Sequence, residues 1–416
     1  MTNSKRRKGL VAAAALLGGV LTLAACGGSD DGDANRSQSQ AEVDKAAAKD
    51  SSDARIKIAP RDGTSNAGIN SDAKVTVSDG KLSVVKMTAV TSGAAVKGTI
   101  SPDGKSWKPD AQLERSSKYK LTATAKDKDG RKVTANSAFS TVSPSDSFIG
   151  NFTPEDGSTV GVGMPVSINF DKPITDKKAV ESAINVNSTS GQKVVGHWFS
   201  PQRLDFRPAE YWKAESTVTM KMKLDGVEGA SGVTGVQDKN VTFKVGHAQV
   251  STVDANTHKM TVVRDGKTIK TIPISAGSSE NPTYNGKMVI AEKFKQTRMD
   301  GATVGFKGGD GKGEYDIPDV PHAMRLSASG TFIHGNYWGS DSIFGSANTS
   351  HGCIGLNDAK GAGDPNMDGA WFFDNSQTGD VVVMKGSPDK TIAPDNGLSD
   401  WNMDWNTWTQ GSALNG

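Results

Sequence analysis

From residue 55 onward the chain alternates apolar and polar positions in short runs. Val75 and Val77 lead into Ser78-Asp79-Gly80, after which Leu82 and Val84 resume the period of two. Leu121, Ala123 and Ala125 run through Asp129-Gly130 to Val133 and Ala135. Such alternation buries one face of a strand, and Asp-Gly between two such runs predicts a hairpin. Pro102-Asp103-Gly104 and Trp107-Lys108-Pro109 read as loops, so residues 55–143 are expected to form a small β-sandwich. Residues 144–246 follow the same pattern without repeating the sequence. Val166-Ile168-Phe170, Val218-Met220-Met222-Leu224 and Val241-Phe243-Val245 alternate, and a short helix is expected over 176–183. From 247 the texture changes. Met260-Val262 and Ile269-Ile272-Ile274 flank Asp265-Gly266, glycine-rich loops run to Gly311, Phe332-Ile333 leads into His334, and 381–384 is wholly apolar. Residues 247–386 are thus β with long loops, and long loops on a β scaffold are where chemistry is carried.

The two ends differ from this. Residues 27–54 are rich in Ser, Asp, Ala, Gln and Lys and cannot bury a core; they read as a flexible tether reaching about 30 Å. Lys5, Arg6, Arg7 and Lys8 precede an apolar run over 10–23 that is too short and glycine-interrupted to span a bilayer. Its end, Leu23-Ala24-Ala25-Cys26, resembles the lipobox of bacterial lipoproteins. That implies a signal peptide over 1–25, a lipid on Cys26 and a cell-membrane location facing outward; an ordinary secretory signal beside a cysteine is the alternative. Removal of 1–25 would leave 44 basic against 46 acidic residues, a formal charge of −2, so acyl chains rather than a basic patch would be the anchor. In 387–416, Trp401, Trp405 and Trp408 are spaced by four and three, as on a helical face or a strap packed on the domain of residues 247–386.

Composition narrows the classes. A chain of 416 residues implies two to four domains, and 48 basic against 46 acidic residues give no field that would attract nucleic acid. Two cysteines exclude a disulfide scaffold. After export only Cys353 would remain, and a solitary exported thiol calls for a reason.

That reason lies in Phe332-Ile333-His334-Gly335-Asn336-Tyr337-Trp338 and Ser350-His351-Gly352-Cys353-Ile354-Gly355-Leu356-Asn357. A cysteine nucleophile needs a base, because a free thiol titrates near 8.5. His351 is two residues away and shares a face with Cys353 if the segment is extended. His334 ends an apolar run nineteen residues earlier, close enough for the chain to loop back. Gly352 leaves room for a substrate carbonyl, and the N–H groups of Gly352 and Cys353 are candidate oxyanion donors. The same residues with Asp341 or Asp358 would make a zinc site, although His-Gly-Cys is an awkward ligand spacing. His197, His258 and His322 show no partner in sequence and are expected at packed, surface or loop positions.

His-Gly followed by Ser-His-Gly-Cys resembles the signature of the L,D-transpeptidase (YkuD) catalytic domain. The whole arrangement, with its Trp-rich tail, is similar to actinobacterial, mycobacterial-type members. The resemblance implies two immunoglobulin-like β-sandwich domains before a β-rich catalytic domain. It implies Cys353 as nucleophile, His334 as base and the Gly335 carbonyl as its orienting group. Ser350 and His351 would shape the cysteine loop, Tyr315 would stand near the oxyanion, Met299 on a flap, and Trp338 near the acyl acceptor. Gly355 stands where some members have asparagine, and Asn357 lies two further on. The implied substrates are peptidoglycan tetrapeptide stems joined through their third-position diamino acids with release of D-Ala. No cofactor or metal is implied, and carbapenem β-lactams would be inhibitors. An L,D-carboxypeptidase and a non-catalytic wall-binding lipoprotein are the alternatives.

Overall fold

The structure is a computed structural model that describes residues 51–415 apart from 71, 308 and 310. Cys26, the signal segment and the tether through residue 50 lie outside the described residues.

The first sandwich opposes two four-stranded sheets. One runs Arg55–Ala59, Lys74–Ser78, Ser106–Pro109, Gly98–Ile100, and the other Ala95–Val96, Lys81–Ala89, Lys118–Lys126, Lys132–Ser140. Val75, Trp107, Tyr119, Leu121 and Ala123 fill the space between them. Asp129-Gly130 closes a hairpin, with Lys126 opposite Lys132. Ser78-Asp79-Gly80 does not. The strands on either side of it belong to different sheets, so it is a corner across the sandwich. Val77 and Leu82 therefore meet the same core from opposite walls, a distinction that alternation alone does not carry. A bulge between Leu82 and Val84 turns Val84 outward to 46% exposure. The sandwich also takes in residues assigned above to the tether: Ala54 is buried, and Asp53 pairs with Arg131 at 2.6 Å.

The second sandwich sets Gly150–Thr153, Val166–Phe170, Arg203–Pro208 and Val194–Ser200 against Thr159–Val160, Asp238–Val245, Thr217–Lys223 and Ile184–Ser188. The short helix is Lys177–Ser182, and Asp176 caps it by accepting the Ala179 N–H at 2.9 Å.

The last domain is one nine-stranded sheet. Its strands are β1 (Gln249–Asp254), β2 (Lys259–Arg264), β3 (Lys267–Ser275), β4 (Gly286–Val289), β5 (Glu292–Asp300), β6 (Asp316–Arg325), β7 (Phe332–Asn336), β8 (Ile354–Asn357) and β9 (Val381–Lys385). Their order across the sheet is β4-β9-β1-β2-β3-β8-β7-β6-β5. β7 and β8 are adjacent and parallel, so the two halves of the His-Gly…Ser-His-Gly-Cys signature lie side by side at the middle of the sheet. Ile274, Met324, Ile333, Ile354 and Leu356 bury one face together with Phe372 of the helix Asp368–Asp374. The other face carries the cavity described below.

The C-terminal segment begins on the catalytic domain, where Ile392 enters the core. The tryptophans were expected there too, but they seat mainly on the second sandwich. Trp408 donates its indole N–H to the Val195 carbonyl at 3.0 Å and stacks on His197, and Trp401 donates to the Gly163 carbonyl at 2.6 Å. The guanidinium of Arg207, buried on the Arg203–Pro208 strand, lies 4.1 Å from the Trp408 ring and 4.8 Å from that of Trp401. Arg207 is the reason the rings turn that way, since a buried cation is best covered by aromatic faces.

Candidate active site

In a parallel pair, residues directly opposite each other point to the same face. Ile333 opposes Ile354 and His334 opposes Gly355. Cys353, just before β8, is therefore one diagonal step from His334 on the same face. Gly355, the direct neighbour of His334, has no side chain to stand between them. Phe332, also on that face, packs against Cys353 with Val320, Ala323 and Met299.

His334 is buried, and its Nδ1 lies 2.8 Å from the Gly335 carbonyl oxygen. That carbonyl can only accept, so Nδ1 carries the proton and Nε2 keeps a lone pair. Burial pulls the imidazole below its usual pKa, opposed by the Gly335 hydrogen bond. Burial also pushes the Cys353 thiol up to about 11. Both groups are thus neutral at pH 7. The Trp338 indole stacks on His334 at 5.5 Å while 43% of its surface stays exposed.

The cysteine loop is held from within. The Ser350 hydroxyl donates to the Cys353 carbonyl at 2.5 Å and accepts the Gly352 N–H at 3.2 Å. The Gly352 N–H, expected as an oxyanion donor, is therefore already engaged. Gly352 has φ +105°, which breaks the extended path that would have aligned His351 with Cys353. His351 turns instead to Glu314, with Nε2 3.4 Å from its carboxylate, and packs tilted against Tyr315 and edgewise on Phe306. Burial, and then the nearby Cys353, push the Tyr315 phenol up to about 12, so it stays a hydroxyl.

Met299, Tyr315, His334, Trp338, Ser350, His351, Cys353 and Gly355 line one cavity of about 260 Å³. Met299, Tyr315 and Cys353 also line a second, of about 280 Å³, with Arg298 and Arg325 at its polar wall. The nucleophile candidate therefore stands where two cavities meet. Asn357 lies outside both linings, while Gly355 is in the first.

A zinc set is not brought together. Asp358 is bound to His322 at 2.7 Å, and His351 has turned away. Among the described residues the one acidic cluster of ligand-like spacing is Asp53, Asp127 and Asp129 in the first sandwich, where the Arg131 guanidinium already sits.

Sequence reasoning missed three contributors. Arg325 lies opposite Phe332 in the register, so its place at the second cavity depends on strand pairing. The Asn336 carboxamide oxygen accepts the Trp338 and Gly339 N–H groups at 3.1 and 2.9 Å and so sets the Trp338 loop. That is an Asx-turn signal readable in Asn-Tyr-Trp-Gly. His322, expected at a surface or loop position, is buried and paired with Asp358.

The sheet thus presents a cysteine and a buried histidine side by side, an arrangement that suits thiol-based acyl transfer. Comparison with known proteins sharpens this. The L,D-transpeptidase catalytic domain family matches residues 248–384, and the bacterial Ig domain family matches 64–228, running across both sandwiches. L,D-transpeptidase 2 of Mycobacterium tuberculosis is 32% identical over 359 residues, covering 86% of this chain and 85% of that protein. L,D-transpeptidase 5 of the same organism is 31% identical over 369 residues, covering 86% and 77%. A solved L,D-transpeptidase in complex with imipenem is 29% identical, covering 56% of this chain and 97% of its own at a TM-score of 0.47. The chain belongs to the L,D-transpeptidase family.

Proposed function

We propose that Cys353 is the nucleophile and His334 the base of a peptidoglycan L,D-transpeptidase. The observation that carries this is the shared face of His334 and Cys353, with Nδ1 tied to the Gly335 carbonyl and Nε2 left free. Because both groups are neutral at rest, the thiol proton passes to Nε2 as sulfur attacks the carbonyl of the stem's third residue. The Cys353 N–H and the Tyr315 hydroxyl stabilise the oxyanion. The intermediate collapses to a thioester as His334 returns the proton to the leaving D-Ala amine. The side-chain amine of a second stem's diamino acid then attacks the thioester, gives its proton to Nε2, and leaves a crosslink and a free thiol. One peptide bond breaks and one forms, so no nucleotide or metal is needed. A strained β-lactam carbonyl meets the same thiol, which makes carbapenems acylating inhibitors.

Intact-protein mass spectrometry with a defined tetrapeptide tests the reading. An adduct lacking D-Ala on Cys353, crosslinked product when an amine acceptor is present, and none of either in Cys353→Ala are expected. Turnover by Cys353→Ala removes the mechanism, and release to water even with acceptor present makes the enzyme a carboxypeptidase.

We also propose a lipid anchor on Cys26 and a position on the outer face of the cell membrane, supported by the Leu23-Ala24-Ala25-Cys26 sequence. Labelled fatty acid should enter the wild type and not Cys26→Ala; incorporation in both would end the proposal.

A further inference from the structure

We propose that His322 and Asp358, on the reverse face of the sheet, form a positioning pair that fixes the Gly335 peptide and through it the tautomer and direction of His334. The proposal rests on His334 acting as the base.

Gly335 is the weak link of the base. Its carbonyl takes the His334 Nδ1–H at 2.8 Å, yet it has no side chain with which to hold its own peptide. Its backbone runs in the β7–β8 ladder, and Asp358 packs against it from behind. A Cβ built on Gly335 would lie 2.1 Å from Asp358 Oδ2, and one on Gly369 of the helix Asp368–Asp374 would lie 2.2 Å from the same oxygen. The carboxylate is thus clamped between two bare α-carbons directly behind the residue that orients the base. It has no surface exposure, and its Oδ1 accepts the Ala359 N–H at 2.8 Å.

Asp358 is fixed in turn by His322, whose Nδ1 lies 2.7 Å from Oδ2 and whose ring packs on Phe373. His322 reaches it by an unusual route. In the middle of β6 its φ is +46°, in the left-handed region. Val320 and Ala323, three apart, consequently enter the same cluster beside Cys353. A strained backbone and a buried charged partner are features a sheet tolerates when something is gained from them. The gain available here is a fixed carbonyl opposite the catalytic imidazole, because a base held off line by an ångström loses about a hundredfold in rate.

The test measures acylation rate at saturating tetrapeptide donor, per titratable Cys353 thiol, in the full chain. His322→Ala should lower it about tenfold to a hundredfold with the half-saturating donor concentration unchanged. His322→Asn places an amide N–H where Nδ1 stood and suits the left-handed backbone, so it should recover most of the loss. Asp358→Asn keeps the volume and the Ala359 bond, and it carries the expectation of loss should His322→Ala not fold. In a His334→Ala background neither variant should cost anything further, since both act through that imidazole. Equal losses in both backgrounds, or wild-type rates in both His322→Ala and Asp358→Asn, overturn the pair while leaving the base in place. A His334→Ala enzyme that acylates at the wild-type rate overturns the reading and the pair together.

Discussion

Burial acts on Cys353 and His334 in the same chemical sense and with opposite sign: it raises the acid and lowers the base, and so disfavours the thiolate–imidazolium pair before substrate arrives. The pH dependence follows. With His334 below its usual value, acylation should hold constant as pH falls through 7 and decline only below about 6.5. In His334→Ala the thiolate must form unaided, so the rate should climb about tenfold per pH unit until the thiol titrates near 11. Rapid labelling of His334→Ala at neutral pH, independent of pH, would remove the imidazole from that role. The residues concerned were legible because the signature that names them is local and their pairing needs only two adjacent strands. His322 and Asp358 were not. They stand 36 residues apart, and no pattern in β6 announces a left-handed histidine.

The strap shows what an element can do that its spacing does not tell. Tryptophans at four and three suggested one helical stripe. Instead Asp400–Asn402 is a single 3₁₀ turn, and Asp404 caps a new helix, Trp405–Gln410, by accepting the Thr407 N–H at 3.0 Å. Trp401 and Trp408 thus come from two elements and converge on Arg207, a partner 193 residues away from Asp400 in sequence. The Asp400 carboxyl, buried against this cation, is pushed up to about 7 by burial and then by the Asp205 charge, with Arg207 and Arg203 opposing. Its value in the unfolded chain is near 3.8, so the folded state holds a proton that the unfolded state has lost. Stability from this group is complete below about 3.8, falls as pH rises towards 7, and then levels off. Asp400→Asn should therefore be more stable than the wild type at pH 8, by about 2–4 °C in Tm for each kcal/mol recovered, and equal to it near pH 4. The backbone acceptors of Arg207, the Pro208, Asp400 and Met403 carbonyls, remain in the variant. Asp380, also pushed up to about 7 by burial, keeps part of the slope. A Tm difference that does not change between pH 4 and pH 8 would contradict the assignment.

Across the whole molecule the two β-sandwiches stand in different relations to the enzyme. The first takes Val236 of the second into its core, with Ile149 packed against it, and adds polar contacts such as Asn70 to Asp225 at 2.7 Å and Arg115 to Ser147 at 3.2 Å. The second shares its core with the catalytic domain. Val381 of β9 belongs to the same cluster as Val162, Met164 and Trp212, and Val250 of β1 packs against it. The Gly161 and Gly163 N–H groups donate across the junction to the Thr378 and Gly379 carbonyls at 2.8 and 2.9 Å. None of this was visible in a sequence that divides cleanly at 246, because the shared core is made by glycines whose value is the closeness they permit. A Cβ on Gly161 would lie 2.3 Å from the Asp380 nitrogen and the Gly379 carbonyl carbon, which are backbone atoms with nowhere to go. Gly161→Ala should cost about 1–3 kcal/mol by overpacking, and the cost should fall on the second sandwich and the catalytic domain together. Calorimetry of the intact chain should then show their joint transition lowered by several degrees and that of the first sandwich unmoved. Gly363→Ala, at a catalytic-domain position with nothing within 4 Å of the new methyl, should leave both where they were. If Gly161→Ala instead lowered a transition of the second sandwich alone, with the catalytic domain melting as before, the two would be independent units and the shared core would be a contact rather than a single cooperative structure.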